Sequence, residues 1–376
     1  MKVKSLAFIT TNAASLDGFK GDLIAELVAR GVKVFALAPD FDDASRKAVA
    51  ARGAEPVDVV VSRSSLSPAS AAGDIVRLAR TIRRLRPDAV LSYFVQSVVI
   101  GTLAATLAGV RRRVSSVEGM GFYFSHTGPR STRYRVIKQT LLQGMRLGVR
   151  LSHRVIFLND DDRAMLMPGG RAPAGKVVRL PGIGLDLRHF SPSSATPLVP
   201  TFVLVARLLW QKGIREFADA ARLVHSAHPE ARFLLIGGRD NAPGGLTEAE
   251  VEELQSNSPV ELIGHVADVR QYLVEATAFV LPSYREGASR SIQEAMALGL
   301  PVITTDVPGC RDLVDDGLNG IVVPPRNAEA LAAAMTRFIV QPELRLEMGR
   351  QSRLAAERKF DAGAINAQII AALETL

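Results

Sequence analysis

The chain has 376 residues, 47% of them hydrophobic and 22% charged, which suffices for two globular domains and excludes large-scale disorder. A formal net charge of +8 points to an anionic partner: nucleic acid, an acidic membrane or an anionic substrate. One cysteine excludes an internal disulfide framework and fits a reducing cytosol.

The first residues, MKVKSLAFITTN, form a strand pattern without a small-residue cleavage site, so no signal peptide is expected. KSLAFIT, VKVFALA, AEPVDVVV, DAVLSYF, RRVSSVE, RVIFLN and KVVRLPG then alternate as apolar strands with helical patterns, the rhythm of a parallel doubly wound sheet. Within it, Ala89 to Val110 carries no charge and is followed by three arginines, long enough to span a bilayer. Its Ser92, Gln96, Ser97, Thr102 and Thr106, and its division at Phe94, favour a buried strand and a covered helix instead.

The charge is unevenly placed. Between Arg77 and Arg154 fifteen basic residues face two acids, Asp88 and Glu118. STRYRVIKQTLLQGMRLGVRLSHR sets Tyr134, Ile137, Leu141 and Met145 on one helical face and Arg135, Lys138, Arg146, Arg150 and Arg154 on another. Such a helix rests on an anionic leaflet, holds an acceptor phosphate, or packs in a core with a wet basic face, and the residues alone leave these open. Nucleic acid is not expected, because aromatics are 6% of the chain and only Tyr134 lies within the basic helix. Asn159 to Arg163, NDDDR, is an acidic cluster at a helix start and reads as a cap rather than a metal site. The histidines show no zinc spacing, and neither metal nor cofactor is expected.

SPSSATPLVP, residues 191–200, reads as a linker that ends a first domain of 1–190. The rhythm restarts in 201–350 with TFVLVAR, ARFLLIGG, PVELIG, TAFVLPS, PVITTD and GIVVPP, and with helices from Gly213, Asp268, Ser289 and Asn327. A helical segment, 351–376, is expected to pack back on the first domain. The fold class is α/β, two Rossmann-like doubly wound domains facing a cleft.

VARLLWQKG places Arg207 after a strand and Lys212 before a helix, where cations serve a diphosphate whose charge grows as its bond breaks, or simply sit solvated. EGASRSIQEAMALGLPVITTD puts Glu286 in a loop and Glu294 in the following helix, so two acids reach different parts of one ligand, or cap the helix.

The second half resembles the family 4 glycosyltransferases, of GT-B architecture and retaining stereochemistry, through GIGLDLRHFSP, ARLLWQKG, IGHVADV, FVLPSYREGASRSIQEAMALGLPVITTDVPG and DGLNGIVVPP, kept in order over roughly residues 180 to 325. The resemblance implies that Arg207 and Lys212 bind the donor diphosphate, Glu294 the ribose and Glu286 the donor sugar. It further implies a phosphate site at Gly287, Ala288 and Ser289 and a base near Gly264 and His265. The first domain departs from the family: SVEGMGFYF places Glu118 and Gly119 where many members carry a Thr-x-His-Gly motif, and TNAASLDGF, with Asn12, replaces a glycine pair. His126 is a candidate substitute for the missing histidine, and because the resemblance implies that the first domain binds the acceptor, Asn12, Glu118, Gly119 and His126 are the expected acceptor-binding residues. The SVEGMG variant resembles that of bacterial enzymes extending lipid-linked oligosaccharides, so the expected partners are a UDP-sugar, a lipid-linked acceptor and the anionic inner face of a cytoplasmic membrane. A sugar-nucleotide epimerase on the same architecture is the alternative.

Overall fold

The computed structural model describes residues 3–61, 68–125, 131–170, 172–192, 197–240, 242 and 244–375. They form two compact units, the first built on residues 3–123, 131–183 and 362–375, the second on 124–125 and 184–361. The boundary at Ile183 and Gly184 precedes the segment read as a linker, and the helix Ala362–Glu374 belongs to the first unit while Pro342–Lys359 belongs to the second.

In the first unit β1 (Ser5–Ile9), β2 (Lys33–Ala38), β3 (Glu55–Asp58), β4 (Ala89–Tyr93), β5 (Arg112–Val117), β6 (Arg154–Phe157) and β7 (Val177–Arg179) make one sheet. The order is β3-β2-β1-β4-β5-β6-β7 and every pairing is parallel. The chain leaves β1 toward one edge, then crosses back to β4, so the direction of winding reverses between β1 and β4. Central strands buried on both faces are mostly apolar, as β1 (SLAFI) and β4 (AVLSY) are. Ala7, Ile9, Leu37, Leu78, Ile82, Val90 and Ile100 meet in the core between sheet and helices.

The uncharged stretch resolves into β4 and the helix Val95–Leu107, and no helix among the described residues is long and apolar enough to cross a membrane. Its Ser97, Gly101, Thr102, Ala104 and Ala105 are small enough to be buried at close approaches. A Cβ on Gly144 would stand 3.1 Å from Val99, and one on Gly148 2.8 Å from the Val98 carbonyl, so the glycines of the helix Thr132–Leu151 let it lie against Val95–Leu107.

The second unit repeats the plan with β8 (Thr201–Val205), β9 (Arg232–Ile236), β10 (Val260–Gly264), β11 (Ala278–Leu281), β12 (Val302–Thr305) and β13 (Gly320–Val323), in the order β10-β9-β8-β11-β12-β13. All pairings are parallel, and the winding reverses between β8 and β11. Helices begin at Ile214, Arg270, Arg290 and Ala328, within two residues of the sequence expectation. The helix Glu248–Asn257 was not anticipated, although its capping box, Thr247 with Glu250, is a local start signal.

Candidate active site

The residues singled out in the second unit follow the carboxyl ends of its strands, the position where open α/β sheets bind ligands. Lys212 ends a short 3-10 turn, Trp210–Lys212, after β8. Its Nζ lies 2.6 Å from Glu286 Oε1, which also accepts the Ser283 hydroxyl at 2.6 Å. The two side chains are only 18% and 12% exposed, so the pair is held in a low-dielectric setting with cation and carboxylate pointing to one place. Gly213, at φ 74°, turns the chain immediately into the helix Ile214–Ala227, and a Cβ there would stand 2.1 Å from the Pro282 carbonyl. Only glycine lets that turn touch the end of β11.

The loop bearing Glu286 is tied to the one after β12. Glu286 N donates to Pro308 O at 2.9 Å and Ser289 N to Gly309 O at 3.2 Å, while Gly309, at φ 74°, has no room for a Cβ, which would lie 2.4 Å from Glu286 O. Ser289 caps the helix Arg290–Ala297, its hydroxyl accepting from Ile292 N at 3.4 Å. The Ser289 amide is thus committed to Gly309. Gly287 and Ala288 lie between these anchored residues.

Glu294 has a partner of its own. It pairs with Arg290 at 2.7 Å and lies in the electrostatic reach of His189 and Asp268. Burial raises its pKa above the ordinary 4.5, against the opposing pull of Arg290. Arg207 has a different partner from Lys212: it is 64% exposed and paired with Asp240 at 2.5 Å. Gly264, at φ 82°, receives Gly237 N at 2.9 Å, and His265 beside it is exposed, its Cβ 3.4 Å from where a Gly238 side chain would begin.

In the first unit, Asn12 is exposed and its carbonyl accepts the Ser15 hydroxyl at 2.5 Å. Glu118 is anchored below the surface by Lys20, with Nζ to Oε1 2.6 Å, and by the Ser116 hydroxyl at 2.9 Å. Gly119 follows at φ 107°. His126 lies outside the described residues. Lys20 escaped the sequence reading, yet it sits at helical spacing among Leu16, Leu23, Ile24 and Leu27, a charge on an otherwise apolar stripe.

The basic excess divides by position. Arg146 donates to Met165 O at 3.2 and 3.0 Å, Arg113 to Leu151 O at 3.0 and 2.9 Å, Lys176 to Arg150 O at 2.9 Å, and Arg83 to Leu107 O. These carbonyls end helices, so the cations satisfy orphan acceptors at negative dipole ends. Arg135 and Arg150 are exposed, and Lys138 is half-buried. Asn159 caps Asp160–Leu166 as expected, its Oδ1 accepting from Asp162 N at 2.7 Å.

Comparison with known proteins fits this fold. The family profile "Glycosyl transferases group 1" matches residues 199–341, and "Glycosyl transferase 4-like domain" matches 21–182. HepE of Anabaena, solved with UDP and glucose, superimposes with a TM-score of 0.79 at 19% identity over 100% of both chains, and sucrose-phosphate synthase of Thermosynechococcus elongatus with 0.78 at 20% over 97% of both. An N,N'-diacetylbacillosaminyl-diphospho-undecaprenol alpha-1,3-N-acetylgalactosaminyltransferase of Campylobacter jejuni is 28% identical over 360 residues, 92% of each chain. A UDP-Gal:alpha-D-GlcNAc-diphosphoundecaprenol alpha-1,3-galactosyltransferase of Escherichia coli is 24% identical over 276 residues, 70% of this chain and 69% of its own. Two doubly wound parallel sheets with these matches define a glycosyltransferase of GT-B architecture. The chain belongs to glycosyltransferase family 4.

Proposed function

We propose that the protein transfers a hexosyl or N-acetylhexosaminyl group from a UDP-sugar to a lipid-linked saccharide, with retention at the anomeric carbon. The observation that carries this reading is the Lys212–Glu286 pair at the carboxyl ends of β8 and β11. An ammonium beside a phosphate oxygen stabilises charge that grows as the sugar–phosphate bond breaks. A neighbouring carboxylate accepts hydrogen bonds from sugar hydroxyls, and Glu286 Oε1 takes two donors, Lys212 and Ser283.

Arg207 reinforces the diphosphate contact, Glu294 takes the ribose diol, and Gly264 with His265 borders the base. In the transfer, the acceptor hydroxyl oxygen bonds to the anomeric carbon, the bond to the diphosphate breaks, and the hydroxyl proton passes to the departing diphosphate on the same face. No metal is assigned, because Lys212 and Arg207 supply the countercharge. The lipid-linked acceptor is supported by the Campylobacter relative, named for an undecaprenol diphosphate substrate and alignable across nearly the whole chain.

A lipid-linked acceptor requires approach to a membrane. The exposed Arg80 and Arg84 on the helix Pro68–Leu85 and Arg135 and Arg150 on Thr132–Leu151 offer cations to an anionic leaflet. Asp74, the acid on these two helices, is buried against Arg77. The test is mass spectrometry of products from a panel of UDP-sugars with undecaprenyl-diphosphate-linked acceptors; a donor consumed equally fast with and without acceptor sinks the transferase assignment of the acceptor.

A further inference from the structure

The Lys212–Glu286 bond joins two chain segments that are tied at two further points. Tyr284 N donates to Gln211 O at 2.9 Å, and the Tyr284 hydroxyl donates to Glu216 Oε1 at 2.7 Å. One segment thus carries Gln211, Lys212 and Glu216, and the other carries Tyr284 and, two residues on, Glu286. Glu216 lies in the first turn of the helix Ile214–Ala227 and is only 9% exposed. Its Oε2 is buried and meets no hydrogen-bond partner among the described residues. A buried carboxyl group with one oxygen unmet costs free energy, and two apolar side chains of the same shape would satisfy packing as well or better. The Tyr284–Glu216 bond is therefore not explained by stability.

Tyr284 is also gripped on its ring. The Arg326 guanidinium lies over it, 4.4 Å from the centroid. Arg326 follows β13 and sits at φ 60°, in the left-handed region that residues other than glycine enter at a cost and that clusters at functional positions. Burial first, and Glu216 second, raise the pKa of the Tyr284 phenol, so the hydroxyl stays protonated and keeps donating. Backbone, hydroxyl and ring of this one residue are thereby fixed by the turn after β8, the helix that follows it and the loop after β13.

We propose that Tyr284 and Glu216 are positioning residues, which keep the Lys212 and Glu286 segments at a fixed separation while the donor is bound. The inference rests on the proposed roles of Lys212 at the diphosphate and Glu286 at the sugar, and adds what holds them once each has turned to its ligand. An ammonium drawn to a phosphate oxygen and a carboxylate drawn to a sugar hydroxyl loosen their bond to each other. The Tyr284–Glu216 bond uses neither of these groups, so it outlasts that exchange of partners. A displacement of about 1 Å at a reacting centre costs on the order of a hundredfold in rate, so this tie serves turnover more than ground-state affinity.

The experiment compares wild type with Tyr284→Phe, Glu216→Gln, Glu216→Leu and the double variant Tyr284→Phe/Glu216→Leu. It measures kcat with a UDP-N-acetylhexosamine and an undecaprenyl-diphosphate-linked N-acetylhexosamine, alongside UDP affinity and Tm. Tyr284→Phe and Glu216→Leu should lower kcat by roughly tenfold to a hundredfold and leave UDP affinity within about twofold. Tyr284→Phe should also lower Tm, because it leaves the buried Glu216 without a donor. Glu216→Gln keeps an oxygen that accepts from the hydroxyl, so its kcat should stay near that of wild type. The double variant should regain Tm and not kcat. Recovery of kcat together with Tm in the double variant makes the contact merely structural and overturns the proposal. An unchanged kcat in Tyr284→Phe, or a loss confined to UDP affinity, overturns it as well. A wild-type enzyme inactive on these substrates instead removes the transfer reading, and the positioning role with it.

Discussion

Lys212 Nζ and Glu286 Oε1 stand 2.6 Å apart although 74 positions separate them in the chain. The contact exists because β8 and β11 are hydrogen-bonded neighbours in the sheet, so the loops following them open at the same edge. A cation for phosphate and a carboxylate for sugar are thereby held together before any donor arrives, which spares reorganisation during the reaction.

Lys212→Ala should therefore depress kcat by on the order of a hundredfold or more. UDP affinity should change less, because the charge that Lys212 counters is greatest in the transition state. Steady-state kinetics beside calorimetry with UDP reads both, and an unchanged kcat would remove Lys212 from the chemistry.

Glu294→Gln should weaken UDP binding with a smaller effect on kcat, as expected of a contact made equally in ground and transition states. Burial raises the pKa of Glu294 above 4.5, so the carboxylate begins to take a proton at a higher pH than an ordinary glutamate. UDP affinity in the wild type should fall as pH drops toward that raised value, and the glutamine variant should lack this limb. The stability sign is opposite: a folded pKa above the unfolded one means that folding favours proton uptake, so this group destabilises at neutral pH and the penalty is relieved as pH falls through the folded value. Titration of UDP binding and of Tm from about pH 5 to 8 checks both signs.

Gly309→Ala forces a side chain into the left-handed region and against Glu286 O, 2.4 Å from the new Cβ. A cost of about 1–3 kcal/mol is expected from the backbone alone, visible as a Tm lower by several degrees. Turnover should fall with it, since the displaced segment carries Glu286. A variant with wild-type Tm and kcat would show that the two loops are free to part.

Glutamate substitutions at Arg135, Arg150 and Arg80 should release the protein from anionic vesicles, each cation near the surface being worth on the order of 1 kcal/mol at low salt. Binding should weaken with rising ionic strength and UDP affinity should not change. Arg146 is left out of this set because its hydrogen bonds to Met165 O make it a support of the fold. Equal co-sedimentation of the triple variant and wild type would leave these arginines as solvated surface.

Turnover should survive EDTA, because protonated side chains rather than a metal are assigned to the leaving diphosphate. An absolute requirement for Mn2+ or Mg2+ would overturn that assignment.

Much of the architecture was legible along the chain. Strands buried on both faces favour runs of apolar residues, and each of β1 to β13 falls within one of the strand segments read from the sequence. Caps act within a few residues, so Asn159 and Ser289 were readable at their helix starts, and the motifs around Lys212 and Glu286 signalled the family before any coordinate was known. Partnership between distant side chains was not legible, because strand order brings them together and spacing does not encode it. Local sequence left Arg207 and Lys212 alike as cations near a helix start; the tertiary structure gives them different partners, Asp240 for Arg207 and Glu286 for Lys212. It likewise turned part of the basic excess into helix C-terminal caps, and it paired Glu118 with Lys20 across the first sheet. Local chemistry is short-ranged and therefore written in adjacent residues, whereas burial and pairing of charges depend on which elements pack together, and only the folded chain decides that.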